Sequence, residues 1–182
     1  MLNSSNSIGA DGNKKLDTHI YKKDNNIMSD ISLHEIFTKV EETSKVADKA
    51  EILQQYESDG LKAVLRGAYD SRIQWNIPST PPPYEEHDAP DWDLADLQLE
   101  REALRIGRFA NFDNNPTNQS RNITQIQAEN QFIQLLEGLH PTEAKLLLNV
   151  VKKKLPYKGL TSRLVNQAFP NLLPEKDARA RT

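Results

Sequence analysis

The sequence predicts an all-α fold, a compact bundle of about six or seven short helices behind a disordered polar N-terminal tail. Three observations carry this. Apolar residues recur at i, i+3, i+4 and i+7 in stretch after stretch, the spacing that lines one face of a helix. Ser, Thr and Pro stand where helix starts need them. No alternation of strands with helices, and no repeat, suggests a parallel sheet or a solenoid.

Residues 1–27 are rich in Asn, Ser, Asp and Lys and carry no helical or strand period, so they are expected to be disordered. Met28 stands just before the first helix signal and is a candidate natural start. The helical domain is expected over residues 28–174, with 175–182 as a charged C-terminal tail.

The first helix is placed over 32–43. Ser32 and Glu35 have the spacing of a capping box, and Leu33, Ile36, Phe37 and Val40 form the inner stripe. A second, over 45–56, offers Ala47, Ala50, Leu53 and Tyr56. Ser58 caps a third, with Leu61, Val64, Leu65 and Ala68 facing inward and Asp70-Ser71 breaking it. Ile73, Trp75 and Ile77 alternate and suggest a short extended segment. Residues 78–90 read as a Pro-rich loop. Its Pro81-Pro82-Pro83-Tyr84 string matches a WW-domain ligand in form, against the plainer reading of a stiff connector.

A fourth helix is expected over 92–109, with Leu94, Leu97 and Leu104 inward and acids near its start to complement the dipole. Residues 111–122 read as a polar loop. A fifth helix, over 124–139, turns Phe132, Ile133, Leu136 and Leu139 inward. Pro141 suits the first position of a sixth, where its missing N–H costs little; Ala144, Leu147, Leu148 and Val151 face the core. Thr161 caps a short seventh helix carrying Leu164, Val165 and Ala168. Pro170 and Pro174 end it.

The 182 residues include no cysteine, which removes disulfides, thiolate metal sites and a Cys nucleophile. No phosphate-binding Gly loop, H-E-x-x-H or G-x-S-x-G is present, and no cofactor is implied. His19, His34, His87 and His140 lack paired metal spacing; His140 reads as a helix-boundary residue and His34 as an exposed first-turn residue. Asp88, Asp91, Asp93 and Asp96, or the loop from Asp113 to Thr124, offer oxygen ligands for a hard cation without calcium-loop spacing; helix capping and solvation explain these acids as well. No apolar stretch approaches a membrane span and no secretory apolar region precedes Met28. The expected setting is the cytoplasm, without a membrane partner.

The net charge of −3 conceals a segregation. Acids dominate 85–102, while from Pro141 onward nine Lys and Arg residues face three acids. Lys152, Lys153 and Lys154 suit the negative end of the sixth helix. With Lys158, Arg163, the Thr161 hydroxyl and the N–H groups around Gly159, they also make a candidate cradle for a nucleic-acid phosphate. Gly159 permits a positive φ and a close backbone approach. The alternative is two solvated faces that attract each other within the fold.

Leu61-Lys62-Ala63-Val64-Leu65-Arg66-Gly67-Ala68-Tyr69-Asp70, followed by Ile73-Gln74-Trp75, resembles the early helices of the N-terminal DNA-binding domain of T-even-type phage ATP-dependent DNA ligases. The stretch from Gly159 to Pro174 resembles the end of that domain. From Met28 to Pro174 the chain is similar to a family of small tailed-phage proteins with the same order of Pro-Pro-Pro-Tyr loop, Asp91-Trp92-Asp93-Leu94 segment and Leu146-Leu147-Leu148 helix. The resemblance implies an all-helical domain that grips duplex DNA through its backbone in an infected host cell, with Lys153, Lys154, Lys158 and Arg163 as contacts. It implies no ligase reaction: Asp59-Gly60 and Asp11-Gly12 both lack the lysine of a Lys-x-Asp-Gly motif. The expected function is therefore a non-enzymatic phage accessory protein binding duplex nucleic acid. The alternative is a protein–protein adapter for a phage or host replication or transcription component, working through the acidic segment and the Pro loop.

Overall fold

Ser32 closes its capping box as expected. Its hydroxyl accepts from the Glu35 N–H at 3.2 Å, and the Glu35 carboxylate accepts from the Ser32 N–H at 2.8 Å. In the computed structural model, which describes residues 31–78, 80, 82–88, 90, 98–112 and 123–178, this box starts α1 (Leu33–Glu42). There follow α2 (Val46–Gln55), α3 (Asp59–Tyr69), β1 (Ile73–Trp75), α4 (Leu99–Glu102), a 3-10 helix (Ile106–Phe109), β2 (Ala110–Phe112), α5 (Gln125–Glu137), α6 (Pro141–Val151), α7 (Ser162–Ala168) and α8 (Glu175–Ala178). The fold is all-α, with one two-stranded antiparallel ribbon among the described residues. The expectations for residues 1–27 and for Met28 fall outside the described residues.

Helix α6 is the centre. It packs against α1, α3, α4 and α5, while α1, α2 and α7 form a second group of neighbours. Leu146, Leu147, Leu148, Val150 and Val151 are all buried, so α6 is apolar nearly all round, as a helix enclosed by others must be. The inward stripes of α1, α3 and α7 are buried as the periodicity requires. Gly67 lets α3 approach α6: a Cβ there would stand 2.8 Å from Val150 Cγ1 and 3.0 Å from Trp75 Cζ2.

Several expectations need correction. Ala47 is exposed, because α2 begins at Val46 and its first turn projects into solvent. The helix expected over 92–109 is, among the described residues, one turn at Leu99–Glu102 followed by the 3-10 helix. The backbone at Gln98 is extended (φ −81°, ψ 137°), which excludes it from the helix. The 3-10 winding aligns Ile106 and Phe109 toward the core, while Leu104, expected inside, lies in the turn before it and is 66 % exposed. Leu94 and Leu97 lie outside the described residues.

The second strand, β2, takes in Asn111 and Phe112 of the expected polar loop together with Ala110. Ile73, Gln74 and Trp75 pair with Phe112, Asn111 and Ala110. The expected C-terminal tail contains a helical turn, α8, against α7; the Asp177 carboxylate accepts from the Ser71 N–H at 2.7 Å.

Candidate nucleic-acid interface

The connector between α6 and α7 carries the predicted basic residues, and the sequence builds it in steps. Helix α6 ends in a Schellman arrangement: the Lys154 N–H reaches back to the Asn149 carbonyl and the Lys153 N–H to the Val150 carbonyl, both at 3.0 Å. Lys153 occupies the left-handed position of that motif, φ +58°, which glycine usually fills. Leu155 then drops into the core, and Tyr157 lies half-buried against Phe37, ring centroids 5.4 Å apart.

The turn after Tyr157 is fastened on three sides. The Lys158 N–H donates to the Glu41 carboxylate at 3.1 Å. The buried ammonium of Lys49 donates to the Lys158 carbonyl at 3.1 Å and to the Val40 carbonyl at 2.7 Å. The Tyr69 hydroxyl donates to the Leu160 carbonyl. Gly159 has φ +83°, the positive φ expected of it, and a Cβ there would meet Lys49 Nζ at 2.6 Å. The approaching group is a lysine side chain rather than backbone.

The six candidate residues divide into two groups. Lys152, Lys154, Lys158 and Arg163 are exposed. Among the described residues none of these four side chains forms an ion pair. Lys153 instead turns inward and donates to the Asp70 carbonyl at 2.9 Å. Burial lowers its pKa to about 8, against the opposing pull of the Asp70 and Asp177 charges. The Thr161 oxygen accepts from the Leu164 N–H at 3.3 Å, as the α7 cap. The Leu160 N–H is taken by the Tyr157 carbonyl.

The charge segregation is partly neutralised inside the fold. Lys145 of α6 pairs with Glu86 at 3.2 Å at the surface, both side chains half or more exposed. Asp70 is fully buried at the α3 terminus. Burial alone raises its pKa, but hydrogen bonds from Arg72 and the charges of Arg72 and Arg66 outweigh that and hold it below the usual carboxylate range. Tyr84 of the Pro loop packs against the core, where burial raises its pKa.

Sequence reasoning missed Glu143. It is buried in the first turn of α6 and accepts from the backbone N–H of His34 at 2.8 Å and of Leu99 at 3.1 Å. Burial raises its pKa to about 7 despite those bonds, with Glu35 and Glu100 pushing the same way. His34 is half-buried rather than exposed, its Nδ1 2.7 Å from the Tyr157 hydroxyl. His140 caps α6, as its boundary position suggested, accepting at Nδ1 from the Thr142 N–H. Asp88 is exposed; Asp91, Asp93, Asp96 and the loop from Asp113 lie outside the described residues. Among the described residues no helix is long and apolar enough to cross a membrane.

A family of unknown function, DUF6433, matches residues 36–157, a span that includes Lys152 to Lys154 and stops before Lys158. No curated protein matches the chain.

Proposed function

The chain belongs to the DUF6433 family, whose function is unknown, and from that footing we propose a non-enzymatic accessory protein that binds duplex nucleic acid through its α6–α7 connector. The observation that carries this reading is the division of the basic residues. Lys152, Lys154, Lys158 and Arg163 are exposed and unpaired among the described residues, on a connector whose backbone is fastened by Lys49, Tyr69 and Glu41. Cations on a rigid frame lose less freedom on meeting phosphates than cations on a mobile tail. Lys153 and Thr161 support the frame and make no phosphate contact in this reading. Recognition is of the backbone, with little sequence preference. A phage setting, in the cytoplasm of an infected cell, accords with the resemblances in the sequence.

A salt series of affinity for a random-sequence duplex tests it. Log affinity falls linearly with log salt, with a slope near −0.9 per phosphate neutralised. Replacing Lys152, Lys154, Lys158 and Arg163 with Ala flattens that slope. No binding at low ionic strength removes the proposal.

The adapter reading has its own observation. The Glu86–Lys145 pair and the Glu85 N–H to the Glu137 carboxylate, 3.3 Å, seat Glu85 and Glu86 on the helical body. That gives a partner a defined surface rather than a loose string. With Tyr84 packed inward, the surface would be the carboxylates and not a Pro-Pro-Pro-Tyr ligand. Loss of a captured partner on altering residues 85–88, with duplex binding unchanged, favours this reading.

A further inference from the structure

A second site stands apart from the connector. Helix α5 has two faces. Ala128, Phe132 and Leu136 enter the core. Gln131, Gln134, Leu135 and Gly138, at i, i+3, i+4 and i+7, line instead a hollow of about 330 Å³. The opposite wall is the 3-10 helix. Three residues per turn eclipse side chains at i and i+3, so burying Ile106 and Phe109 sets Arg105 and Arg108 together on the adjoining side. The Arg108 Nε donates to the Arg105 carbonyl at 3.2 Å, and its guanidinium carbon lies 6.0 Å from the Phe109 ring centroid. Arg105 is held by the Glu102 carboxylate, at 3.1 and 3.3 Å, on the rim of the same hollow.

We propose that this hollow binds a small organic oxyanion carried on an apolar body. Two guanidinium groups on one side offer the planar forks that carboxylates and phosphates accept. The Gln131 and Gln134 amides supply further donors across the gap, and Leu135 and Leu139 give the body an apolar floor. The volume lies at the lower end of the range of small-molecule sites. Glu102 occupies the place of the ligand's charge: it keeps Arg105 positioned in the free protein and competes with an arriving anion. This inference is independent of duplex binding, because it uses none of the connector residues.

The test is a titration of the ¹⁵N-labelled full chain with benzoate and with adenosine monophosphate, the carboxylate and phosphate sources, and with adenosine as the uncharged control. The expected result is saturable shifts of the Gly107, Gly138, Gln131 and Gln134 amides with at least one anion and none with adenosine. Arg105→Ala, at an exposed side chain, weakens binding about tenfold or more, as does Gln134→Ala from the opposite wall. Glu102→Gln, which removes the competing charge, strengthens it, an outcome that misfolding does not produce. The proposal is overturned if neither anion shifts these amides, if adenosine does so equally, or if Arg105→Ala and Glu102→Gln both bind as the native chain does.

Discussion

The backbone N–H of His34 lies 2.8 Å from the buried carboxylate of Glu143, across 109 positions of sequence. The second carboxylate oxygen takes the Leu99 N–H, so one side chain in the first turn of α6 serves the opening turns of both α1 and α4. Those amides have no partner within their own helices. Enclosure raises the carboxyl from 4.5 to about 7. Between those values the folded chain holds a proton that the unfolded chain has released, so stability falls as pH rises through the window and levels off above about 7. Urea unfolding at about pH 5 and about pH 8 is expected to show a loss on the order of 2–3 kcal/mol in the native chain relative to Glu143→Gln, which cannot titrate. Parallel pH profiles for the two chains would refute this.

Lys153 and Lys154 are neighbours with different duties, and a salt series separates them. Lys154 is exposed, so under the proposed duplex binding Lys154→Ala is expected to reduce the magnitude of the salt slope by roughly 0.9. Lys153→Ala leaves that slope unchanged, because its ammonium is committed to the Asp70 carbonyl. Its effect is on stability, a loss of about 1 kcal/mol for the missing hydrogen bond. Its pKa, brought down to about 8, adds a pH signature. The unfolded chain holds the extra proton between about 8 and the ordinary 10.5, so the native chain gains stability as pH rises through that window and the Ala variant lacks the gain. Equal slope changes for the two variants would contradict the inward placement of Lys153.

The helices and the core faces were legible because burial and periodicity coincide in them: Leu33, Ile36, Phe37 and Val40 answer to one stripe, as do Leu61, Val64, Leu65 and Ala68. The 3-10 helix was not. Leu99, Ala103 and Ile106 repeat at i, i+4 and i+7 and fit an α-helix as well as the actual one-turn helix and 3-10 winding. Strand β2 is three residues long and gains its identity from pairing with β1, which no local pattern encodes. At the connector the charges were legible but their directions were not. Whether Lys153 faces solvent depends on a left-handed backbone angle and on a carbonyl 83 positions away. Glu143 gave no signal either, since a Glu in the first turn of a helix ordinarily sits in water against the dipole.

Gly67 is a packing position. Its φ is not in the left-handed region, so the constraint is space: an added methyl would come within 2.8 Å of Val150 and 3.0 Å of Trp75. Val150 is fully buried in α6, and the Trp75 Nε1–H is engaged by the Gly67 carbonyl at 3.2 Å, so neither neighbour retreats freely. Gly67→Ala is expected to cost about 1–3 kcal/mol despite the better helix propensity of Ala. An unchanged unfolding midpoint would show that α3 and α6 separate more easily than their packing implies.

Gly159 and Lys49 form a coupled pair, and a double-mutant cycle measures the coupling. A residue other than glycine at φ +83° carries strain of roughly 1–2 kcal/mol on its own. At this position its Cβ also meets Lys49 Nζ at 2.6 Å, and the ammonium has little room to move because it donates to the Val40 and Lys158 carbonyls. Lys49→Met keeps most of the stem, removes the clash and leaves those carbonyls without their donor, at about 1–3 kcal/mol. Gly159→Ala is therefore expected to cost less in the Lys49→Met background than in the native one, with a coupling of at least about 0.5 kcal/mol. The connector is the frame for the exposed cations, so under the proposed duplex binding either single substitution is also expected to weaken that binding by displacing Lys158. The salt slope of the Gly159→Ala chain is then expected to be smaller in magnitude than the native one by up to roughly 0.9, the contribution of one contact. Additive stabilities would separate Lys49 from the turn, and an unchanged slope in Gly159→Ala would show that the turn does not position Lys158 for a phosphate contact.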